Sequence, residues 1–419
     1  MRINQNVRDT LPVSMLGSSA GLIALLTLSH LVTDAIASTF SALLPTIQYR
    51  LNLTETTLAL LVATLSFSTS VTQPLFGLLA DRIGQRRVGI AGMILNALLL
   101  SLIGVIPSVS FLFVVLLVGG LGSAAFHPAV ASLARASVPS KKALAVSLFS
   151  AGGTAGLAVG PVLALFLISN QGPGAFVWFM LPAFILSLVL FLKTPDLERE
   201  SVLVQPRNVD FRFVFGRVGL LAVSGILSGM AFVTFTNGIS LWLVRVHGLA
   251  RESSLIGWTL AAFSLSAALG GMIAGWLSRY VEQRVLISGS LLLALLPLFA
   301  IFSLEPGSFL FFLSVILAGA SLNASLPIMI VKAQDLAPHA VATVSGLLMG
   351  FSVGVAGVLY IGVGHLQERL GLVPAMQISF LALIPAAFLA QIALKKNATK
   401  NVLARDVQPE KIQSCVLCG

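Results

Sequence analysis

Long apolar stretches occupy most of this chain and limit its fold more than any other feature. A helix needs about 20 apolar residues to cross the hydrocarbon core of a bilayer, and in lipid it satisfies its own backbone hydrogen bonds. Only 10% of the residues are charged and 57% are hydrophobic, whereas about a quarter are charged in soluble domains. We predict twelve membrane-spanning helices, at 17–46, 54–79, 87–106, 111–136, 142–168, 174–193, 216–245, 253–278, 284–302, 308–333, 340–365 and 372–395.

The longest polar break divides these helices six and six. It spans 194–215 and mixes prolines with acidic and basic residues, which is typical of a linker. A weak internal repeat relates the two halves, because Pro128 and Pro139 recur 199 positions later as Pro327 and Pro338. The predicted fold is therefore an all-α membrane protein of two pseudo-symmetric six-helix bundles, at 1–193 and 216–395, with a cytoplasmic linker at 194–215 and a cytoplasmic tail at 396–419.

The Lys and Arg residues indicate the orientation of the chain. Cytoplasmic loops are enriched in these residues, and with both termini inside only four of the 25 face outward, namely Arg50, Arg245, Arg251 and Arg369. We expect a multi-pass protein of the cell (inner) membrane with both termini in the cytoplasm. The net charge of +10 reflects this asymmetry and does not indicate nucleic-acid binding. The first helix contains Asp34 and lacks a cleavage site, so it should stay in the mature protein.

A tight basic loop with one carboxylate joins the second and third predicted helices. Gly77 allows close helix packing, Gly84 permits a sharp turn, and Asp81 can bond backbone donors or pair with an arginine. A simpler interpretation makes the arginines anchors that follow the positive-inside rule. The loop reads Gly77-Leu-Leu-Ala-Asp81-Arg82-Ile-Gly84-Gln-Arg86-Arg87.

This loop resembles the signature loop of the major facilitator superfamily, and every fixed position of that signature is present. The resemblance implies two parallel repeats with substrate bound between them near the bilayer midplane. It also implies that Asp81 and Arg82, together with the glycines and Arg86 and Arg87, form a latch for the outward-facing state. The second half has only Gly275-Trp-Leu-Ser-Arg279 at the matching place, without the acid.

His30 and Asp34 lie four residues apart in the first helix and therefore share a face. An acid near the middle of a span costs roughly 2.5 to 3.5 kcal/mol on insertion scales, so Asp34 needs a purpose or a partner. It is the only carboxylate that the sequence places deep in a helix. We predict that the pair binds protons and titrates in the physiological range. The alternative is a neutral His30 that only holds the helix in place.

Phe126-His127-Pro128 lies in the fourth helix, with Arg135 two turns later. A proline inside a membrane helix frees a carbonyl oxygen, and a preceding histidine can donate to that oxygen or to a substrate. We predict that Phe126 and His127 contact substrate, and that Arg135 meets an anionic group at the cytoplasmic end of the cavity. A structural His127 and a snorkelling Arg135 are the alternatives.

The second half offers neutral polar side chains. Asn237 in the seventh helix and Asn323 in the tenth helix are candidates to bond polar groups of a substrate from the side opposite His127. Polar residues in membrane helices also bond neighbouring helices, which is the alternative role.

Four stretches resemble the fosmidomycin resistance protein family of drug-efflux facilitators. The resemblance is strongest from about Ser29 to Leu163, and it implies export of a small compound. The family pattern has an acid after the Phe-His-Pro triplet, where this chain has Ala129. The four stretches are His30-Leu-Val-Thr-Asp34, Gln73-Pro74-Leu-Phe-Gly77, Phe126-His127-Pro128, and Ser150-Ala-Gly152-Gly153 to Gly160-Pro161.

The fifth helix carries Gly152, Gly156 and Gly160 on one stripe, followed by Pro161 as a kink. These residues resemble part of the antiporter motif of the fifth helix, whose closing pair of glycines is replaced here by Ala164-Leu165. The stripe is predicted to pack helices closely and to take part in gating. As a plain packing stripe it would also suit a uniporter or a symporter.

These patterns predict a proton-coupled antiporter that exports a small drug-like or organic-anion compound. A symporter or uniporter for uptake of a sugar or organic anion is the alternative, and a membrane-embedded hydrolase with His30, Asp34 and His127 as metal ligands is a remote one. The expected partners are the substrate, protons and the lipid bilayer, with no cofactor or metal and with a monomeric chain. Cys415 and Cys418 supply only half of a usual zinc site and are not assigned a role.

Overall fold

The computed structural model describes residues 19–138, 141–194, 215–338 and 340–395, and all regular structure within these ranges is helical. The predicted linker, apart from its two end residues, lies outside them, as do the predicted tail and both cysteines. In chain order the helices are α1 Ser19–Leu51, α2 Glu55–Val71 with Gln73–Ile83, α3 Gln85–Leu100, α4 Val109–Ser137, α5 Lys142–Gln171, α6 Pro173–Lys193, α7 Arg217–Arg245, α8 Ser254–Leu277, α9 Gln283–Ser303, α10 Phe309–Leu336, α11 Thr343–Leu370 and α12 Leu372–Leu394.

Most of these helices are suited to a membrane. Ten are long and apolar enough to cross a bilayer, and α2 adds an eleventh if its two parts, which meet at a bend of 40°, form one span. The remaining helix, α3, has 16 residues and is shorter than a span requires. The sequence had predicted a third span at 87–106, so the helix ends six residues earlier than expected.

The early end of α3 coincides with contacts from another helix. After Ser101 the chain makes a run of turns in which backbone N–H groups bond three residues back instead of four. The carbonyl oxygens of Ile103, Gly104 and Ile106 accept hydrogen bonds from the guanidinium of Arg50 at the end of α1. A long-range arginine thus satisfies backbone groups that would otherwise require another helical turn.

Helix α1 packs along α5, and the contact depends on glycine. A Cβ added at Gly152, Gly156 or Gly160 would lie 2.4, 2.2 or 2.2 Å from a backbone carbonyl oxygen of α1. Such distances are far below van der Waals contact, so only a residue without a side chain permits this approach. The structure therefore places the predicted stripe of the fifth helix directly against α1.

The two bundles meet along three helix pairs, α2 with α11, α5 with α8, and α1 with α7. In the first pair, an added Cβ at Gly357 would lie 2.1 Å from the Cβ of Ser66, and one at Gly364 would lie 2.4 Å from the Cβ of Ala59. In the second pair, Gly257 of α8 lies against α5 just after Pro161. Small residues thus bring helices of opposite bundles together.

Both helices of the α2–α11 pair contain a π-helical segment, at Phe67–Val71 and Leu347–Phe351. After its segment, α2 bends at Thr72, and the following part, Gln73–Ile83, packs on α3 and α4 of its own bundle. The seam with α11 is therefore formed by the part of α2 before the bend. We call the end of the protein where α1 finishes the Arg50 end, and the end that carries the loop between α2 and α3 the signature-loop end.

Candidate functional site

Helices α1 and α4 bring a carboxylate and two imidazoles together. His30 and Asp34 lie one turn apart on α1, and the Nε2 atom of His30 is 3.1 Å from Oδ2 of Asp34. The Nε2 atom of His127, on α4, lies 3.0 Å from Oδ1 of the same carboxylate. Each carboxylate oxygen of Asp34 therefore faces a different histidine. We call these three residues the His–Asp–His cluster.

The outer nitrogen of each ring is held by the backbone. Nδ1 of His30 lies 2.8 Å from the carbonyl oxygen of Phe149, and Nδ1 of His127 lies 2.7 Å from the carbonyl oxygen of Ser123. A carbonyl oxygen can only accept a hydrogen bond, so both Nδ1 atoms carry the proton that they donate. The tautomer of each neutral ring is thereby determined, and both Nε2 atoms turn a lone pair toward Asp34.

Aromatic rings and a glycine enclose the cluster. The ring of Phe149 stacks on His30 at a centroid distance of 4.1 Å, and Phe126 meets the edge of His127 at 5.6 Å. From α5, Gly153 faces the contact between His30 and Asp34, because an added Cβ would lie 2.4 Å from Nε2 and 2.7 Å from Oδ2. The apolar walls limit the access of water and strengthen the electrostatic interactions inside.

The cluster is mostly buried but not sealed. The side chains of His30, Asp34 and His127 are 9, 14 and 24% exposed, so His127 is the most accessible member. Within the described residues it is the one group of three or more His, Cys, Asp or Glu side chains whose ligand atoms converge, here within 4.8 Å of one another. Two imidazoles and a carboxylate could hold a metal ion, while the two N···O distances near 3 Å are those of direct hydrogen bonds.

Of the other predicted substrate residues, one lies at the cluster and three lie elsewhere. Phe126 is fully buried and packs against both histidines, so it forms a wall of the cluster. Arg135 is exposed on the signature-loop side of α4. Asn237 accepts a hydrogen bond of 2.9 Å from Ser41 of α1 and thus links the two bundles. Asn323 donates to a backbone carbonyl of α8, which is the helix-packing alternative.

The residues of the predicted latch surround the turn between α2 and α3. Gly84 has a φ of 107°, which favours glycine, and an added Cβ on Gly77 would lie 3.7 Å from the Cβ of Pro128 in α4. Arg86 contacts the ring and the backbone of Phe191 in α6.

The charged residues of the predicted latch make few contacts. The Oδ1 atom of Asp81 lies 3.5 Å from Nε2 of Gln85, one turn later. The side chains of Asp81, Arg82 and Arg87 are exposed, and within the described ranges no hydrogen bond or ion pair joins Asp81 or Arg82 to the second bundle.

A second buried carboxylate, Glu55, was missed by the sequence analysis, which named Asp34 as the only deep one. Glu55 is 8% exposed, and its Oε1 atom accepts from Gln48 Nε2 at 3.0 Å and forms an ion pair with Arg245 of the second bundle. Glu55 lies in the first turn of α2. The signal available in the sequence was Arg245 at the end of α7, one of only four arginines on that side.

Further contacts join the bundles at the Arg50 end. The backbone N–H of Thr56 donates to Glu368 of α11 at 3.0 Å, and the Arg251 guanidinium lies 3.7 Å from the ring centroid of Tyr49. With the Glu55–Arg245 ion pair, these contacts close the Arg50 end. The described contacts between the bundles thus concentrate away from the signature loop.

We expect Glu55→Gln to weaken the closure of the Arg50 end. The amide cannot form the ion pair, and the loss should cost about 0.2 to 1 kcal/mol, because the Arg245 side chain is 46% exposed and water can solvate its charge. Spin labels at Val105 and Glu305, exposed positions on opposite bundles, should report a longer distance in this variant. Glu282→Gln, which removes an ion pair inside the second bundle, should leave the distance unchanged. Equal distances in all three proteins would contradict this role.

Comparison with known proteins places these observations in a family. The model of the Major Facilitator Superfamily matches residues 26–361. The fosmidomycin resistance protein of Escherichia coli (strain K12) is 27% identical over 394 residues, which are 92% of this chain and 95% of that protein. An uncharacterized transporter of the same superfamily from Bacillus subtilis (strain 168) is 26% identical over 87% of this chain and 90% of its own length.

Two solved structures share the fold at low sequence identity. A bacterial homolog of the human lysosomal transporter Spinster, in an inward-facing and occupied conformation, has a TM-score of 0.73 at 18% identity and covers 93% of this chain and 98% of its own. A mutant of the nucleoside transporter NupG has a TM-score of 0.76 at 16% identity, with 89% of this chain and all of that chain covered. The predicted fold of two six-helix bundles is confirmed by these likenesses.

Proposed function

Because the chain belongs to the Major Facilitator Superfamily, and is therefore a transporter and not an enzyme, we propose that it exports a small drug-like or organic-anion compound in exchange for protons. The observation that carries the proposal is the His–Asp–His cluster, a buried carboxylate held between two imidazoles. Ionisable groups inside membrane helices are costly and are retained chiefly for transport or proton transfer.

Asp34 is the carboxylate that draws protons into the cluster in this proposal. Its oxygens contact no backbone N–H group within the described residues, so its partners are the two rings, which can themselves gain and lose protons. If Asp34 only anchored α1, a hydrogen-bond donor that does not titrate would suit it equally well as a partner. The exchange of protons between water and the cluster is thus the chemistry that this arrangement suits.

The cycle follows alternating access. When the Arg50 end is open, the cluster takes up protons from outside, His127 is drawn to Asp34 and loses its contact with the substrate, and the substrate leaves. The bundles then close at that end through contacts such as the Glu55–Arg245 ion pair. At the signature-loop end the protons pass to water in the cytoplasm, and substrate binds again. Each proton that enters from outside leaves inside, while the substrate moves the other way.

The orientation in this cycle comes from the positive-inside rule, which puts both termini and the signature loop in the cytoplasm. In this structure the Arg50 end is closed, and among the described residues the latch residues Asp81 and Arg82 make no hydrogen bond or ion pair with the second bundle. This combination suits an inward-open conformation, in which a latch for the outward-facing state is released.

The substrate passes between the bundles. His127, as the most accessible member of the cluster, and Asn237, which bridges α1 and α7, are the contacts that we propose on the two sides. Arg135 would meet an anionic group on its way from the cytoplasm. A monomer suffices, since both sides of the path come from one chain.

Uptake by symport or facilitated diffusion is the second candidate, because the same cluster would serve it. Export is favoured by the similarity to the fosmidomycin resistance protein and by the close α1–α5 packing through the partial antiporter motif. The direction of proton flow evoked by substrate separates the two.

The test uses inside-out vesicles with an imposed proton gradient and a pH-sensitive dye. Fosmidomycin is added first, followed by a panel of cationic drugs and sugar phosphates. Antiport predicts that a substrate dissipates the gradient and that the loss is absent in vesicles without the protein. If no compound changes the gradient while binding is detected by a thermal shift, the proposal of proton antiport fails in favour of facilitated diffusion.

A further inference from the structure

We propose that His127 is a second proton carrier, so that the cluster loads two protons, one between Asp34 and His30 and one between Asp34 and His127, and releases both in each transport cycle. This inference rests on the proposed function and deepens it, because it concerns the number of protons and the residue that carries the second one. The sequence analysis had predicted that His127 contacts substrate, with a structural role as the alternative.

The count follows from the hydrogen bonds of the two rings. Both Nδ1 protons are engaged by backbone carbonyl oxygens, those of Phe149 and Ser123. In a neutral ring of this tautomer Nε2 has no proton and can only accept a hydrogen bond. An ionised carboxylate is also only an acceptor. At 3.1 and 3.0 Å, each Nε2···O contact would place two lone pairs against each other unless a proton lies between them.

Two contacts therefore require two protons beyond those on Nδ1. With Asp34 ionised and both rings protonated, the cluster carries one net positive charge, and each contact is a charge-assisted hydrogen bond. When one proton leaves, one contact keeps its proton and the other becomes repulsive. When both leave, the charge becomes negative and neither contact is stable. The geometry in this structure thus corresponds to the doubly loaded state.

The second contact has a mechanical consequence that the first lacks. His30 and Asp34 belong to the same helix, so the proton between them makes a hydrogen bond within α1 and does not link α1 to another helix. His127 lies on α4, 93 positions from Asp34, so its proton joins α1 to α4. Loss of that proton frees the carboxylate of α1 from α4 and exposes the more accessible ring to a substrate. Proton release and substrate access are thereby linked at one residue.

No other charge competes for the cluster among the described residues. Helix α5 contributes Phe149 and Gly153 to its walls, and neither can ionise. On α4 the remaining ionisable residue is Arg135, two turns away and exposed. In the opposite bundle α7 has ionisable residues only at its ends, Arg217 and Arg245, and α8 has none. Helices α2, α3 and α6, which also pack on α1 or α4, carry their charged residues in their end turns. The titration of the cluster therefore depends chiefly on its own three members.

The first test counts ring protons without any substrate. The full chain is labelled with ¹⁵N-histidine, with His247, His339 and His365 replaced by glutamine, and spectra are recorded as the pH is lowered. Nitrogen shifts distinguish the charged ring from the two neutral tautomers. Both rings should be of the Nδ1–H tautomer when neutral, and both should become charged together in a manner that depends on Asp34. A neutral Nε2–H tautomer in either ring would overturn the inference, because that nitrogen would then donate to Asp34 without an exchangeable proton.

The second test measures stoichiometry with fosmidomycin as the probe. At zero membrane potential and a gradient of one pH unit, each coupled proton supports about a tenfold substrate gradient. The wild type should therefore sustain about a 100-fold gradient and His127→Gln about a tenfold one. Glutamine keeps a donor toward Asp34 but cannot release its proton, and His127→Asn serves as a second variant if the first folds poorly.

The outcomes separate the two claims. A tenfold gradient in both the wild type and the His127→Gln variant would overturn the second proton and leave proton antiport through Asp34 standing. No proton-driven gradient in the wild type, with fosmidomycin or with any other compound of the panel, would overturn the proposed function itself. A structural role of His127 would lower the rate or the amount of folded protein without changing the proton-to-substrate ratio.

Discussion

Asp34→Asn should abolish proton-driven transport while leaving a folded protein that still exchanges substrate. The amide has no negative charge, so it cannot stabilise a protonated His30 or His127 as the ionised carboxylate does. The cluster thereby loses the group that draws protons to both histidines. An imposed gradient of one pH unit, which should support a substrate gradient of about tenfold for each coupled proton, should support none in the variant. The measurement is substrate accumulation in vesicles at a fixed gradient, compared with exchange in the absence of a gradient.

Asp335→Asn is the matched control for this prediction. Asp335 is also a carboxylate on a membrane helix, but it is exposed and its ion pair with Lys332, three residues away, lies at the end of α10. The same chemical change there should leave the proton-driven gradient unaltered. Undiminished proton-driven transport by Asp34→Asn would remove the basis of the proposed function, whatever else the cluster does.

Gly153→Ala should uncouple the transporter through a single methyl group. The new Cβ would lie 2.4 Å from Nε2 of His30 and 2.7 Å from Oδ2 of Asp34. Helix α5 cannot move away without cost, because neighbouring glycines hold it against the carbonyl oxygens of α1. The side chains of the cluster must therefore shift and lose their hydrogen bonds. We expect a loss of stability of about 1 to 3 kcal/mol, as is typical of overpacking, together with loss of proton coupling.

The two effects of Gly153→Ala are separated by measurement. Thermal unfolding reports the stability, and the proton-to-substrate ratio in vesicles reports the coupling. Gly289→Ala on α9 is the control, because an added Cβ there meets nothing within 4 Å. A variant that keeps full coupling at reduced stability would show that the cluster tolerates displacement, which would contradict the requirement for its present geometry.

In the proposed cycle, the cluster and the closed Arg50 end form two parts of one mechanism. The cluster lies where α1, α4 and α5 meet within the first bundle, whereas Glu55 and Arg245 join the bundles directly. A change in the cluster reaches the interface through α1, which also carries Ser41, the partner of Asn237. In this view proton release alters the position of α1 against α4, and the contact between α1 and α7 transmits the change to the second bundle.

Local patterns in the sequence were sufficient for the features that depend on neighbouring residues. The pairing of His30 with Asp34 follows from a spacing of four residues on a helix, and the structure places the two at hydrogen-bond distance. Most of the predicted helices also correspond to helices in the structure, because a long apolar run has few other stable forms in lipid. The end of α3 differs because a distant arginine, Arg50, takes up its turn carbonyls.

The sequence by itself thus determined that the chain is a helical membrane protein with a buried acid and a histidine on one face of its first helix. Only the tertiary structure decided that His127 faces the same carboxylate, that Gly153 leaves room for the cluster, and that Glu55 pairs with Arg245. These contacts join residues far apart in the chain. They depend on the rotation and spacing of packed helices, and hydrophobic periodicity does not specify the partner that each polar side chain meets.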